Sequence, residues 1–100
     1  MDIDIFELKQ KMERGDDFLL LDVREQHEFR EFNLGGKLIP LGYIPLSMVE
    51  LEPFRNQEIV VHCRVGSRSK VAQTLLLRAG FQQVRNLKGG VVAWVREFGY

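Results

Sequence analysis

Two short stretches of this 100-residue chain are apolar at every position instead of at alternate ones: Phe18-Leu19-Leu20-Leu21 and, after Glu58, Ile59-Val60-Val61. A strand with water on one face alternates apolar and polar side chains. A continuous run implies a strand covered on both faces, as in a parallel sheet held between helices. With Asp22 and Val23 the first run predicts one such strand, and Glu58 to Cys63 predicts a second.

The intervening segments supply the covering helices. Asp4 followed by Glu7 reads as a capping box, with Ile5, Leu8 and Met12 on one helical face and Gly15 as the stop. Glu25 to Phe32 is charged and carries Phe29 and Phe32 at helical spacing, which predicts a short helix. Asn33-Leu34-Gly35-Gly36 is a turn, Leu38-Ile39 a brief strand before Pro40, and Pro45 to Glu52 a further short helix ended by Pro53. Ser69 to Ala79 shows a broad apolar stripe of Val71, Leu75 and Ala79 flanked by Ala72 and Leu76, closed by Gly80. Val84 to Leu87 predicts a last strand, and Gly89-Gly90 turns the chain into a final helix with Val91, Val95 and Phe98 on its face and Trp94 nearby. Strands alternating with helices define an α/β sandwich around a mostly parallel sheet. Residues 1–100 are enough for one domain and too few for a second lobe.

Composition narrows the function classes. Lysine plus arginine equals aspartate plus glutamate at 14 each, so bulk charge gives no support for nucleic-acid binding. No apolar stretch is long enough to cross a bilayer, and Met1-Asp2-Ile3-Asp4 lacks the basic and apolar regions of a signal peptide. The chain has 1 cysteine, which excludes an intramolecular disulfide and a Cys-x-x-Cys pair, and the expected location is a reducing cytoplasm. With that cysteine and 2 widely separated histidines, no metal cluster can be argued and no cofactor is implied.

That cysteine, Cys63, ends the second strand and opens the segment Cys63-Arg64-Val65-Gly66-Ser67-Arg68-Ser69, which leads into a helix. Helix-terminal N–H groups, the helix dipole and nearby guanidinium groups all lower a thiol's pKa, and the thiolate is the nucleophilic form. Ligands of open parallel sheets bind beyond the carboxyl ends of strands, where Cys63 stands; Asp22 and Arg24 should open onto the same side. Alternation along the strand turns His62 to the opposite face, away from a role as base for Cys63. Asp22, Arg24 and Glu28 are expected to form a structural network, with Arg24 and Glu28 spaced for a helical ion pair.

The segments Leu21-Asp22-Val23-Arg24-Glu25 with Glu28-Phe29, Val60 to Ser69, Ala79-Gly80-Phe81 with Val84, and Leu87 to Trp94 occur together and in order. In these pieces, which run nearly the whole length, the chain resembles a rhodanese domain, the sulfurtransferase fold. The resemblance implies a three-layer sandwich with a five-stranded, mostly parallel central sheet, and a catalytic cysteine, Cys63, that carries a persulfide. Successive loop N–H groups from Arg64 to Ser69 would then form an anion nest for the terminal sulfur. Gly66 would allow the backbone turn, Ser67 and Ser69 would offer hydroxyls, Arg64 and Arg68 would attract an anionic donor, and Val65 would wall the pocket. The implied donor is a thiosulfate-like anion or a protein persulfide. Asn33 to Leu41 departs from the common pattern and resembles rhodanese domains appended to adenylating enzymes, which favours a sulfur-carrier protein as acceptor. The alternative is a persulfide carrier with low activity on small donors. A distant alternative is a phosphatase or arsenate reductase; phosphatase loops place five residues between cysteine and arginine, whereas four separate Cys63 from Arg68.

Overall fold

A computed structural model describes residues 2–100. In chain order the elements are α1 (Ile5–Arg14), β1 (Leu19–Asp22), α2 (Gln26–Glu31), β2 (Lys37–Leu38), α3 (Met48–Leu51), β3 (Glu58–His62), α4 (Ser67–Arg78), β4 (Gln83–Asn86) and α5 (Gly90–Phe98). Short 3-10 turns at Leu41–Tyr43, Pro45–Ser47 and Glu52–Phe54 flank α3. No helix among the described residues is long and apolar enough to cross a membrane.

The four strands are all parallel, in the order β2-β1-β3-β4, with Leu21 paired to Val61 and Val61 to Asn86. The central positions fall to β1 and β3, the two runs without polar alternation. Leu21, Ile59 and Val61 enter one apolar layer with Ala72 and Leu76 of α4 and Leu51 of α3. Leu20 and Val60 face the other layer, with Ile5 and Leu8 of α1 and Trp94 and Phe98 of α5. Each such buried aliphatic side chain stabilises the fold by roughly 1.5–3 kcal/mol, which is why the pattern is so visible in the sequence.

The sheet has four strands where five were expected. Ile3 forms a single parallel bridge with Leu87 at the β4 edge. The extended segment ends there because the Asp4 carboxylate caps α1, accepting the Glu7 N–H at 2.8 Å, so the chain turns helical one residue later. The second half of the predicted capping box is not made. Glu7 instead receives the Arg85 guanidinium at 2.7 and 2.9 Å, tying α1 to the sheet. The helix predicted over Pro45 to Glu52 is α-helical only at Met48–Leu51, after the 3-10 turn Pro45–Ser47; it stops with Glu52 as its cap, directly before Pro53, which lies in the 3-10 turn Glu52–Phe54. The α4 helix begins at Ser67, two residues before the predicted start, because Gly66 takes the cap position at φ 116°.

Candidate active site

Every strand of a parallel sheet delivers its carboxyl end to the same edge, and Cys63 leaves central β3 there. Two hydrogen bonds hold its backbone to α5: Val91 N–H donates to the Cys63 carbonyl and Val92 N–H to the Arg64 carbonyl, each at 3.0 Å. The contact needs a glycine before it. A Cβ on Gly90 would lie 2.5 Å from both carbonyl oxygens, and the residue sits at φ 57°. The Gly89-Gly90 pair is thus a close approach of backbones as well as a turn.

The loop folds over the sulfur. Cys63 Sγ accepts the Gly66 N–H at 3.1 Å, the Ser69 N–H at 3.4 Å and the Ser69 hydroxyl at 3.4 Å. Gly66 holds φ 116° and ψ −11°, outside the regions open to a residue with a side chain. Burial pushes the Cys63 thiol up; hydrogen bonds from Ser69 Oγ, Ser69 N, Gly66 N and Val65 N outweigh it and hold the thiol below its ordinary value. The side chain is fully buried at the edge of the α3/α4 apolar layer, yet the amide hydrogens point at it. It is a solvent-shielded thiol with an anion cradle.

The remaining loop residues divide. Val65 is exposed on the loop's outer surface, and Ser67 opens α4 without donating to the sulfur. Arg64 is exposed and takes part in no ion pair among the described residues. Arg68 is engaged: its guanidinium makes a bidentate pair with Glu28 at 2.7 and 2.9 Å. That pair replaces the expected Arg24–Glu28 pair. Arg24 instead grips Asp22 through Nε at 3.0 Å and Nη2 at 2.8 Å and donates to the Phe32 carbonyl at 2.7 Å. The Asp22–Arg24 unit is buried and braces the β1–α2 connection beside the loop.

His62 lies next to its registered neighbour Asp22, with 3.8 Å from Nε2 to Oδ2, and neither ring nitrogen has a hydrogen-bond partner among the described residues. Burial lowers its pKa to about 4, against the pull of Asp22, so the ring is neutral near pH 7. Asn86, which the sequence reading passed over, completes the cradle. Its side-chain oxygen competes with Sγ for the single Ser69 hydroxyl hydrogen, and its Nδ2 donates to the Gly66 carbonyl at 3.3 Å. Its place at the carboxyl end of β4, beside β3, was the available signal. Next to the loop lies a groove of about 570 Å³ lined by Arg24, Glu28 and Phe32 on one side and by Arg64, Val92, Val95 and Tyr100 on the other.

Comparison with known proteins gives a consistent picture. The sequence pattern of the family described as rhodanese-like domain matches residues 5–97. A protein of Allochromatium vinosum named sulfurtransferase is 34% identical over 96 residues, spanning 95% of this chain and 88% of that protein. A Bacillus subtilis protein named putative sulfur carrier protein is 33% identical over 94 residues, covering 93% of this chain and 50% of its own length. The solution structure of the rhodanese-like domain of an Anabaena sp. protein superposes with a TM-score of 0.85 at 30% identity, over 98% of this chain and 75% of that one.

Proposed function

The chain belongs to the rhodanese-like domain family, and from that premise we propose that it moves sulfane sulfur from a donor to a nucleophilic acceptor through a persulfide on Cys63. The observation that carries this is the set of N–H and O–H donors from Gly66 and Ser69 aimed at Sγ. The thiolate attacks the outer sulfur of a donor such as thiosulfate. The donor's S–S bond breaks, sulfite leaves with the electron pair, and the charge comes to rest on the terminal sulfur of Cys63–S–S⁻. An acceptor such as cyanide or a thiolate then attacks that sulfur, and Cys63 departs as thiolate. The loop amides stabilise the sulfur anion at both stages. Arg64, whose guanidinium makes no ion pair among the described residues, meets an anionic donor at the rim, and Val65 borders the approach.

A second reading is a persulfide carrier that receives sulfur from a protein and passes it to a sulfur-carrier protein. The likeness to the Bacillus subtilis protein named a putative sulfur carrier favours it. Phosphatase or arsenate reductase chemistry fits less well, because four residues separate Cys63 from Arg68 and Glu28 already occupies that arginine. A lone thiol that must stay reduced suits a reducing compartment such as the cytoplasm. Thiocyanate formation from thiosulfate and cyanide, measured on the native chain and on Cys63→Ser, tests the first reading. Turnover with double-displacement kinetics that vanishes in the variant supports it. Equal turnover by the folded variant would remove Cys63 from the mechanism. Persulfide uptake from a protein donor, without turnover of thiosulfate, selects the carrier.

A further inference from the structure

We propose that Glu28 is a positioning residue that withholds the Arg68 guanidinium from the mouth of the sulfur cradle, so that the cradle takes one sulfur, such as the outer sulfur of thiosulfate, and does not enclose a whole phosphate-like oxyanion. The inference deepens the sulfur-transfer reading, on which its biological meaning rests, by naming what sets the specificity of that site.

Arg68 is the residue of the loop best placed to serve an oxyanion, because it adjoins Ser69, whose N–H and hydroxyl both point at Sγ. A guanidinium binds phosphate through a fork of two parallel N–H groups. Here that fork is taken. Nη1 and Nη2 each hold one oxygen of Glu28, a residue 40 positions away in sequence. The carboxylate is itself anchored, since Glu28 Oε1 accepts the Glu25 N–H at 3.0 Å in the capping box of α2. Arg24, fixed on buried Asp22, holds the far end of the same helix through the Phe32 carbonyl. The pair is therefore braced from both sides. It is also partly buried, at 34% and 20% side-chain exposure, which shields it more than a surface pair from salt.

Electrostatics point the same way. The Arg68 hydrogen bonds carry the Glu28 carboxyl down to about 2, so it stays charged across the physiological range. The donors that hold the Cys63 thiol low are first the neutral groups of Ser69, Gly66 and Val65, so the thiolate is held without a hydrogen bond from Arg68. A phosphate, which must bring its oxygens into the loop, meets the Glu28 charge and finds the arginine occupied. A one-sulfur anion needs only the amides.

The test uses inorganic phosphate as the probe and alkylation of Cys63 by iodoacetamide as the readout, at constant ionic strength, with folding followed by circular dichroism. In Glu28→Gln the concentration of phosphate giving half-protection should fall at least about tenfold below that of the native chain, the scale of one freed charge-assisted contact. Glu28→Asp should behave as native, and Glu28→Gln combined with Arg68→Gln should lose the gain. An unchanged half-protection in Glu28→Gln, or a gain that survives loss of Arg68, overturns the proposal. Should Glu28→Gln alone not fold, the double variant leaves no charge unpaired and still decides the matter. Protection equal to native upholds the withheld arginine, and weaker protection shows Arg68 serving the anion already. A purely structural role would not raise affinity for phosphate. Persulfide loading of the native chain is a separate measurement, so failure of sulfur transfer and failure of this clamp are told apart.

Discussion

Replacing Gly66 by alanine tests the cradle at its most constrained point. At φ 116° and ψ −11° an alanine is strained by about 1–3 kcal/mol. Space is not the obstacle, because the nearest atoms to an added Cβ, Asn86 Nδ2 and Leu87 O, stand 3.9 Å away. The strain is therefore relieved by rotation of the backbone rather than by displacement of neighbours. Rotation swings the Gly66 N–H away from Sγ, now at 3.1 Å, and loosens the Gly66 carbonyl from Asn86 Nδ2 at 3.3 Å. A hydrogen bond to a charged acceptor contributes about 1.5–3 kcal/mol. Its loss cuts the thiolate fraction below the titration midpoint by about tenfold or more. The assay is the alkylation rate of Cys63 as a function of pH; with 1 cysteine in the chain, no other thiol needs removal. The account predicts a profile displaced to higher pH in the variant. A folded Gly66→Ala protein whose profile overlays the native one would refute the reasoning, because the amide would then contribute nothing to holding the thiolate.

Three further outcomes follow from the same geometry. Arg64→Ala removes an exposed cation that makes no ion pair among the described residues, so stability in urea should change by no more than about 0.5 kcal/mol while the thiosulfate concentration for half-maximal rate rises several-fold; an unchanged half-saturation removes Arg64 from donor binding. Asp22→Ala leaves the Arg24 charge buried without its partner and should lower unfolding stability by about 3–5 kcal/mol; a loss under 1 kcal/mol, on the order of a surface pair, would contradict the buried pairing. His62 binds its proton near pH 4 when folded and near 6.5 when unfolded, so the unfolded chain takes up more protons between these values and stability falls as pH drops through that window. From pH 7 to pH 5 the contribution lost is about 2 kcal/mol, and a His62→Gln protein should show a flatter dependence in urea melts; parallel curves would contradict the buried neutral ring.

Local pattern made the central part of the fold legible. Continuous apolarity at Phe18–Leu21 and Ile59–Val61 marked the two inner strands, and the glycine and two following serines after Cys63 marked the loop. Alternation placed His62 away from the sulfur, where it lies beside Asp22. What escaped was pairing across distance. Spacing within a helix offered Arg24 to Glu28, yet the carboxylate reaches Arg68, 40 residues on, because folding brings the first turn of α4 against α2. Glu7 was likewise drawn to Arg85, which left its capping box half made. The missing fifth strand has a local origin instead: Ile3 alone pairs with Leu87 before the Asp4 cap starts the helix. Asn86 carries no motif of its own and gains its role from standing next to β3 in the sheet.

The most direct measurement is the intact mass of the chain after exposure to thiosulfate or to a persulfide-bearing protein, followed by fragmentation to locate the change. The account predicts a gain of one sulfur atom on the peptide containing Cys63, absent in Cys63→Ser and discharged by addition of a nucleophilic acceptor. A folded chain that takes up no sulfur from either class of donor, or that carries it elsewhere, would contradict it.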